Sequence, residues 1–291
     1  MKKAKIGFLL YENIIGNKNA ASSRIRGKWL IKYWPEAEEF VYGRKYEVVI
    51  YQKCYPVDHA KLFKGIKILD LADPDHTIRE PIIEMMRYCD AMTVSSEALR
   101  DFYQTMIDKP VVFIDDRQDL EYLKEKKQHK GRAKEVVWYG YSHNSHVLKA
   151  VLPSLERLKL GLSIISDSMT TVTAYSKERR EKRVKERWIK WNLDKVNREI
   201  IKSDIVIMPS SMKPNDRFKS LNKTTNAWAL GMPVANTADD LEKFLSEEAR
   251  KKEAEKNLKI VKEKFDVRIS VQEMKDLINK LKNDKLENRK A

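Results

Sequence analysis

The first half of the chain alternates short apolar runs with helical patterns. The runs predict six strands, at residues 5–10, 39–42, 48–52, 66–71, 91–95 and 111–115. Most are continuous and rich in valine and isoleucine, which is typical of strands buried on both faces of a parallel sheet. Before one of the helical patterns, Ser96 is placed to cap a helix with apolar residues at i, i+3, i+4 and i+7. This alternation predicts a doubly wound α/β domain.

The second half repeats this plan after a polar, lysine-rich segment at residues 117–134, which we interpret as a linker. Strand patterns return at 136–140, 162–165 and 205–208, and the chain after residue 234 is helical and charged. The fold class is therefore α/β, with two Rossmann-like domains and C-terminal helices. We predict domains at 1–125 and 126–270, followed by a C-terminal helix at 271–291.

The charge of the chain changes the range of expected partners. It carries 58 Lys+Arg against 43 Asp+Glu, a formal net charge of +15. This favours nucleic acid, anionic lipid heads or phosphorylated small molecules, although lysine-rich solvated surfaces account for it equally well. Cys54 and Cys89 define neither a disulfide framework nor a metal site, so we expect a reducing cytoplasm, that of the host if the protein is viral. No apolar run approaches the roughly 18 residues that cross a bilayer.

A polar loop and a helix start follow the strand pattern at 205–208. Both are expected at the carboxyl edge of the sheet, where ligands bind in open α/β folds. A helix N-terminus there can hold a phosphate through its N–H groups. Lys219 and Lys223 add positive charge, and Asn222 and Asn226 add hydrogen bonds. The segment therefore predicts a site for a phosphorylated ligand.

The stretch from Asn226 to Val234, NAWALGMPV, resembles a donor-binding motif of the GT-B glycosyltransferases, particularly the family-4-like group. The motif reads Glu-Ala-x-Ala-x-Gly-x-Pro-Val, so Asn226 replaces its glutamate. The earlier glutamate of the family, eight positions before, falls on Phe218. In the family, one acidic group contacts the ribose and the other the sugar or phosphate region.

The resemblance implies two Rossmann-like domains facing a cleft that binds a nucleotide-sugar, which we expect to be a UDP-sugar. No tightly bound cofactor is implied. The donor is expected to contact Lys219, Asn222, Lys223 and Asn226. Gly140 and Ser142 follow the first strand of the second domain, where the family has its glycine-containing donor loop. Glycine permits close approach of a phosphate to the backbone, although a plain strand-to-helix turn explains these residues too.

Candidate catalytic residues follow the strand pattern at 66–71. Sugar transfer needs a base for the acceptor hydroxyl, and a carboxylate or histidine at a strand end suits that role. The resemblance places acceptor-side groups in this region, with Asp73 the first candidate and His76 the second. Residues 73–75 also suit a turn and helix cap. Asp70 lies inside the strand and is expected to be structural.

Two further segments are candidate contacts for phosphates. The polar loop after the first strand contains Gly16, Ser23 and Arg24. Similar enzymes use this loop to close over the donor or to guide the acceptor, so these residues are candidate contacts for phosphate or acceptor, although an ordinary capped helix start explains them equally well. Residues 177–190, KERREKRVKERWIK, hold eight basic and three acidic side chains. Basic groups neutralise phosphates and aromatic rings stack on bases, whereas a solvated helix with Glu–Arg pairs is the alternative. The candidate nucleic-acid contacts of this segment are Arg179, Arg180, Arg183 and Trp188.

Three functions remain open. The sequence favours a glycosyltransferase that acts on DNA, with a hydroxymethylated pyrimidine as the acceptor, because of the net charge and the basic segment. The second is a glycosyltransferase for a surface glycan or lipid, in which basic patches meet anionic lipid heads at a membrane surface. The third is a non-catalytic nucleotide or nucleic-acid binder, which the replaced glutamates suggest.

Overall fold

The computed structural model describes residues 5–16, 20–75, 81–172, 184–209 and 214–287. Its internal contacts divide the chain into two compact units. The first unit comprises Met1–Asp119, Lys213–Leu221 and Phe265–Ala291, and the second comprises Leu120–Met212 and Asn222–Lys264. Each unit is built on one parallel sheet with helices, so the predicted α/β class is confirmed.

All strands of both sheets are short, and most are buried, as their apolar runs predict. In chain order they are β1 Ile6–Leu10, β2 Ala37–Glu39, β3 Val48–Gln52, β4 Ile66–Leu71, β5 Ala91–Val94, β6 Val111–Phe113, β7 Glu135–Tyr139, β8 Gly161–Ser166, β9 Glu186–Lys190, β10 Ile205–Ile207 and β11 Val234–Ala235. The first sheet has the order β2-β1-β3-β4-β5-β6 and the second β11-β10-β7-β8-β9. In each sheet the order reverses beside the first strand, between β1 and β3 and between β7 and β10. Ligands of open parallel sheets bind at the carboxyl ends of strands at such a point.

Helices connect the strands in both units. They are α1 Tyr11–Ile15, α2 Ala21–Ser23, α3 Trp29–Lys32, α4 Val57–Leu62, α5 Ile82–Met86, α6 Glu97–Gln104, α7 Leu152–Leu158, α8 Val196–Lys202, α9 Asn222–Ala229, α10 Ala238–Lys243, α11 Glu247–Lys264 and α12 Val267–Glu287. A π-helical turn at Arg24–Lys28 joins α2 to α3, and 3₁₀ turns form at Ser142–Ala150 and Pro214–Phe218. Ser96 caps α6 as predicted, because its side chain accepts a hydrogen bond from the backbone N–H of Leu99. None of the helices in the described ranges is both long and apolar enough to cross a membrane.

The last helix, α12, belongs to the first unit. Its buried stripe includes Val271, Met274 and Ile278, which join the core formed by Phe8 and Ile68 of the sheet. The unit boundaries at Asp119 and Phe265 therefore differ from the predicted divisions at 125 and 270. The physical reason is that an apolar helical stripe packs on whichever sheet face it reaches, which spacing along the chain does not specify.

Two strand assignments differ from the sequence prediction. The prediction of a strand at 39–42 is wrong over most of its length, since pairing ends at Glu39 and the chain turns through Gly43 at a φ of 84°. The described end of the basic segment is the edge strand β9, so the helical interpretation is wrong there. Segment 120–134 has neither helix nor strand, as expected of a linker, yet Leu123, His129 and Ala133 are buried.

Candidate functional site

In the second unit, Gly140 lies directly after β7 at the point where the strand order reverses. A Cβ atom built on Gly140 would lie 2.8 Å from Nζ of Lys223 and 3.0 Å from the ring of Trp138. The Lys223 ammonium itself lies over the Trp138 ring, 5.7 Å from its centroid. The structure therefore brings two predicted donor residues together, and glycine is the residue that leaves room for the ammonium.

The first turn of α9 is fixed to the end of β7 by Tyr139, which sequence reasoning did not identify. The hydroxyl of Tyr139 lies 2.5 Å from the carbonyl oxygen of Lys223, to which it donates, and 3.2 Å from Oδ1 of Asn226. Burial raises the pKa of this phenol, so it stays protonated and can donate. The predicted residue Asn226 is thus beside Lys223. The available signal for Tyr139 was its place directly before Gly140.

Ser142 begins the 3₁₀ turn that follows β7. Its backbone N–H donates to Oδ1 of Asp167 at 2.7 Å, and its hydroxyl lies 2.7 Å from that of Ser168. The hydrogen bond from this N–H lowers the pKa of Asp167 and keeps the carboxylate charged. The rings of Tyr141 and His143 stack beside it, with centroids 5.8 Å apart. Ser142 therefore joins the carboxyl ends of β7 and β8.

The remaining motif residues divide between the two units. Asn222 begins α9 in the second unit, whereas Phe218 and Lys219 belong to the first. Lys219 forms an ion pair with Asp216. Phe218 is only 3% exposed and packs on Phe102, with ring centroids 5.4 Å apart. The position of the earlier glutamate in the family is therefore a core position here, which explains why an apolar residue occupies it.

In the first unit, Asp73 follows β4 and forms an ion pair with Lys53, which follows β3. The distance from Lys53 Nζ to Asp73 Oδ2 is 2.6 Å, and that to Asp75 Oδ1 is 3.3 Å. The hydroxyl of Tyr55 donates to Asp75 at 2.6 Å. The side chain of Asp73 is 51% exposed, whereas that of Asp75 is 4% exposed. Asp73 is thus the accessible member of this cluster, and His76 lies outside the described residues.

A second cluster in the first unit is fully buried and centred on Arg26. Its guanidinium makes hydrogen bonds of 2.6 to 3.1 Å to Asp70 and one of 2.8 Å to Asp116. Thr93 donates to Asp70 and Ser220 donates to Asp116. Burial lowers the pKa of Arg26, but the two aspartates outweigh it and the pKa is raised. Asp70 is therefore structural, as expected, and its partner Arg26 gave no signal in the sequence.

The three predicted residues of the loop after β1 have different structural environments. Gly16 ends α1 with a φ of 69°, a left-handed conformation that glycine adopts readily. The hydroxyl of Ser23 is buried, donating to Oε1 of Gln52 at 2.8 Å and accepting from the N–H of Glu12. The guanidinium of Arg24 lies over the ring of Trp29, 5.7 Å from its centroid. Ser23 is thus a structural contact.

Of the four predicted nucleic-acid contacts, only Trp188 lies within the described residues. Arg179, Arg180 and Arg183 lie outside the described residues. Trp188 lies in β9, where its Nε1 donates to Oγ of Ser166 at 2.9 Å. Its ring packs against the core of the second unit. Trp188 therefore serves the stability of an edge strand in this structure.

Two parallel-sheet units of this kind make up the fold of the GT-B glycosyltransferases. Anabaena HepE, solved in complex with UDP, is 12% identical with a TM-score of 0.66, over 95% of this chain and 100% of that one. T4 phage BGT, solved with its UDP-glucose substrate, is 11% identical with a TM-score of 0.57, over 97% and 99%. A structure of the DNA modifying enzyme beta-glucosyltransferase is 12% identical with a TM-score of 0.54, over 94% and 99%.

The GT-B fold expected from the motif is thus confirmed. At these identities the likeness is one of fold. No family model matches the chain, and a search of the curated proteins finds no match.

Proposed function

We propose that this protein is a glycosyltransferase that transfers a sugar from a UDP-sugar to an acceptor hydroxyl. One observation carries the proposal, namely that Gly140 and Lys223 meet at the carboxyl edge of the second sheet, where its strand order reverses. A glycine backbone beside an ammonium group gives a diphosphate both room and charge. The start of α9, at Asn222 and Lys223, can offer backbone N–H groups to a phosphate as well.

The neighbours of known structure support this choice of donor. HepE is solved with UDP and T4 phage BGT with UDP-glucose. A shared fold alone does not define a substrate. The Gly140–Lys223 pair is the local feature of this chain that fits a diphosphate, and Ser142 and Asn226 lie beside it.

Calorimetry with UDP, GDP and ADP tests the donor proposal. We expect UDP to bind, and Lys223→Ala to weaken binding by about 1–3 kcal/mol, the range for a lost charged hydrogen bond. Lys243→Ala is a matched control, because Lys243 also lies over an aromatic ring of the second unit, 4.8 Å from the centroid of Phe244. No binding heat with any of the three nucleotides by the folded protein would contradict the proposal. An equal loss in both variants would contradict the role of Lys223.

On the acceptor side we propose Asp73 as the base. It is accessible, it follows a strand end, and Lys53 holds its carboxylate in place. A base there takes the proton of the acceptor hydroxyl as the sugar is transferred. His76 remains the second candidate from the sequence.

For the acceptor itself we propose a hydroxymethylated pyrimidine in DNA, acted on in the cytoplasm. The net charge of +15 favours a polyanionic acceptor, and a DNA modifying beta-glucosyltransferase shares the fold. Mass spectrometry of candidate acceptors incubated with mixed nucleotide-sugars tests this directly. A sugar-sized mass increase on hydroxymethylated DNA is the expected result. An increase on a glycan or lipid acceptor alone would contradict the DNA acceptor while retaining the glycosyltransferase.

A further inference from the structure

Lys53 has an unusual backbone conformation. Among the described residues, only Lys53 and Lys159 are non-glycine residues with a clearly positive φ, at 52° and 57°. Lys159 ends a helix, where the left-handed conformation is common. Lys53 instead follows a strand, where such a conformation costs on the order of 1–3 kcal/mol and has to be compensated by contacts. Strained residues of this kind are concentrated at functional sites.

The contacts of the Lys53 ammonium supply this compensation. It lies 2.6 Å from the carboxylate of Asp73, 3.3 Å from that of Asp75, and 5.1 Å from the centroid of the Tyr11 ring. The side chain of Lys53 is only 12% exposed. Tyr11 and Lys53 directly follow β1 and β3, the two strands between which the order of the first sheet reverses. One cation therefore lies between two carboxylates at this point.

The charges of this cluster do not balance, because two carboxylates face one ammonium. Burial lowers the pKa of Lys53, but Asp73 and Asp75 outweigh it and the pKa is raised, so the ammonium keeps its charge. Burial raises the pKa of Asp75 despite Lys53 and the hydroxyl of Tyr55. The Lys53 ammonium therefore stays charged when a carboxyl group of the cluster takes up a proton.

We propose that Lys53 is a positioning residue that exchanges its main partner, from Asp73 to Asp75, when Asp73 accepts the proton of the acceptor. The inference rests on the proposed function. The O–H bond of the acceptor breaks, its proton goes to Asp73, and the oxygen forms a bond to the anomeric carbon of the sugar. The bond from that carbon to the diphosphate breaks, and its electron pair leaves with the diphosphate.

Partner exchange keeps one ion pair in the cluster before and after the step. Without Asp75, protonation of Asp73 would leave a mostly buried ammonium with no anion opposite it, which is unfavourable. With Asp75 already 3.3 Å away, a small movement of Nζ restores the pair. Asp75 therefore assists proton transfer to Asp73 through Lys53, although its own side chain is only 4% exposed.

The pH dependence of turnover in two variants tests the exchange. Lys53→Met removes a positive charge, so a proton is held more tightly and the acid limb of the profile should move up by about one pH unit. Asp75→Asn removes a negative charge, so the acid limb should move down by about one pH unit. If Lys53 and Asp75 had only structural roles, the two substitutions would change turnover without shifting the acid limb in opposite directions.

Lys32→Met is the matched control in the same unit. Lys32 lies 2.7 Å from the carboxylate of Asp119 and 4.8 Å from the centroid of the Tyr33 ring, contacts like those of Lys53. Its loss should leave the pH profile unchanged. Movement of the limb in the same direction in Lys53→Met and Asp75→Asn would overturn the proposal, and so would an equal shift in Lys32→Met.

A second measurement needs no activity. Carbon NMR of isotope-labelled aspartate across a pH series should show residues 73 and 75 titrating as a coupled pair in the wild type. The coupling should weaken in Lys53→Met. Independent titration of the two groups in the wild type would overturn the exchange. Absence of UDP binding would contradict the proposed function instead, and the carboxyl titration would still decide the exchange.

Discussion

The backbone of Gly140 and the ammonium group of Lys223 approach so closely that a Cβ on residue 140 would lie 2.8 Å from Nζ. One residue comes from the end of β7 and the other from the start of α9. Gly140 does not have a positive φ, so glycine is favoured at this position because a side chain would take up the space of the Lys223 ammonium. The effect of this close approach on UDP binding can be measured without knowledge of the acceptor.

Gly140→Ala should displace the Lys223 side chain and weaken UDP binding by about tenfold, or about 1.4 kcal/mol. Because the loss acts mainly through Lys223, the same substitution should cost much less in the Lys223→Ala background. Calorimetry on the four proteins of this double-mutant cycle gives the coupling. Full additivity would mean that the two residues act independently on the nucleotide.

Asp73→Asn should reduce turnover by at least about 100-fold, because an amide cannot take the proton of the acceptor. The affinity for UDP should stay within a factor of about two, since a base that acts in the chemical step adds little to donor binding. Asp101→Asn is the control, because Asp101 is an exposed aspartate of the same unit paired with Arg100 at 2.9 Å. Near-normal turnover in Asp73→Asn would transfer the role to His76 or exclude this loop.

Arg26→Met should destabilise the fold by about 3–5 kcal/mol at pH 7, because it leaves the buried Asp70 and Asp116 without their cation. Arg44→Met, which removes the exposed pair with Glu38, should destabilise the fold far less, because an exposed ion pair is screened by water and salt. Urea unfolding measures both. Comparable losses in the two variants would contradict the importance assigned to the buried network.

The loss in Arg26→Met should depend on pH. Burial raises the pKa of Asp116 above its ordinary 3.8, so the folded state binds this proton more readily than the unfolded state. The contribution of this carboxyl group to stability therefore falls as pH rises above 3.8, and Arg26 normally limits that fall. Without Arg26 the decline should be steeper, so the loss should be smaller at low pH. Urea unfolding at pH 4.5 and pH 7 checks the sign.

If DNA is the acceptor, affinity for a labelled duplex should fall with salt, with a log–log slope near −0.9 for each phosphate neutralised. Alanine at Arg179, Arg180 and Arg183 together should flatten the slope by up to about three units. Nucleotide-sugar hydrolysis should survive, because these residues lie outside the donor motif. Fluorescence anisotropy across a salt series measures the slope. A slope near zero in the wild type would exclude DNA, and vesicle binding lost in the triple variant would indicate a lipid acceptor.

The sequence by itself determined the elements with a local physical cause. Strands such as β3 and β4 follow from continuous apolar runs, because both faces of a parallel strand are buried. The helix cap at Ser96 follows from the hydrogen bond that its side chain makes within one turn. The pairing of Gly140 with Lys223 was anticipated only as two separate candidates in one domain. The sequence placed Gly140 after a strand and Lys223 at a helix start, without giving the distance between them.

Only the tertiary structure decided the polar pairings and the edges. Arg26 meets Asp70 and Asp116 because the π-helical turn, strand β4 and the segment after β6 come together in the fold. The pattern of charged residues along the sequence does not indicate which of them will pair. The partners of Lys53 lie on a neighbouring strand end for the same reason. The edge strand β9 was missed because an edge strand leaves part of its surface in water and lacks a continuous apolar run. A local sequence pattern indicates whether a residue is buried, whereas its contact partners depend on how distant segments of the chain pack together.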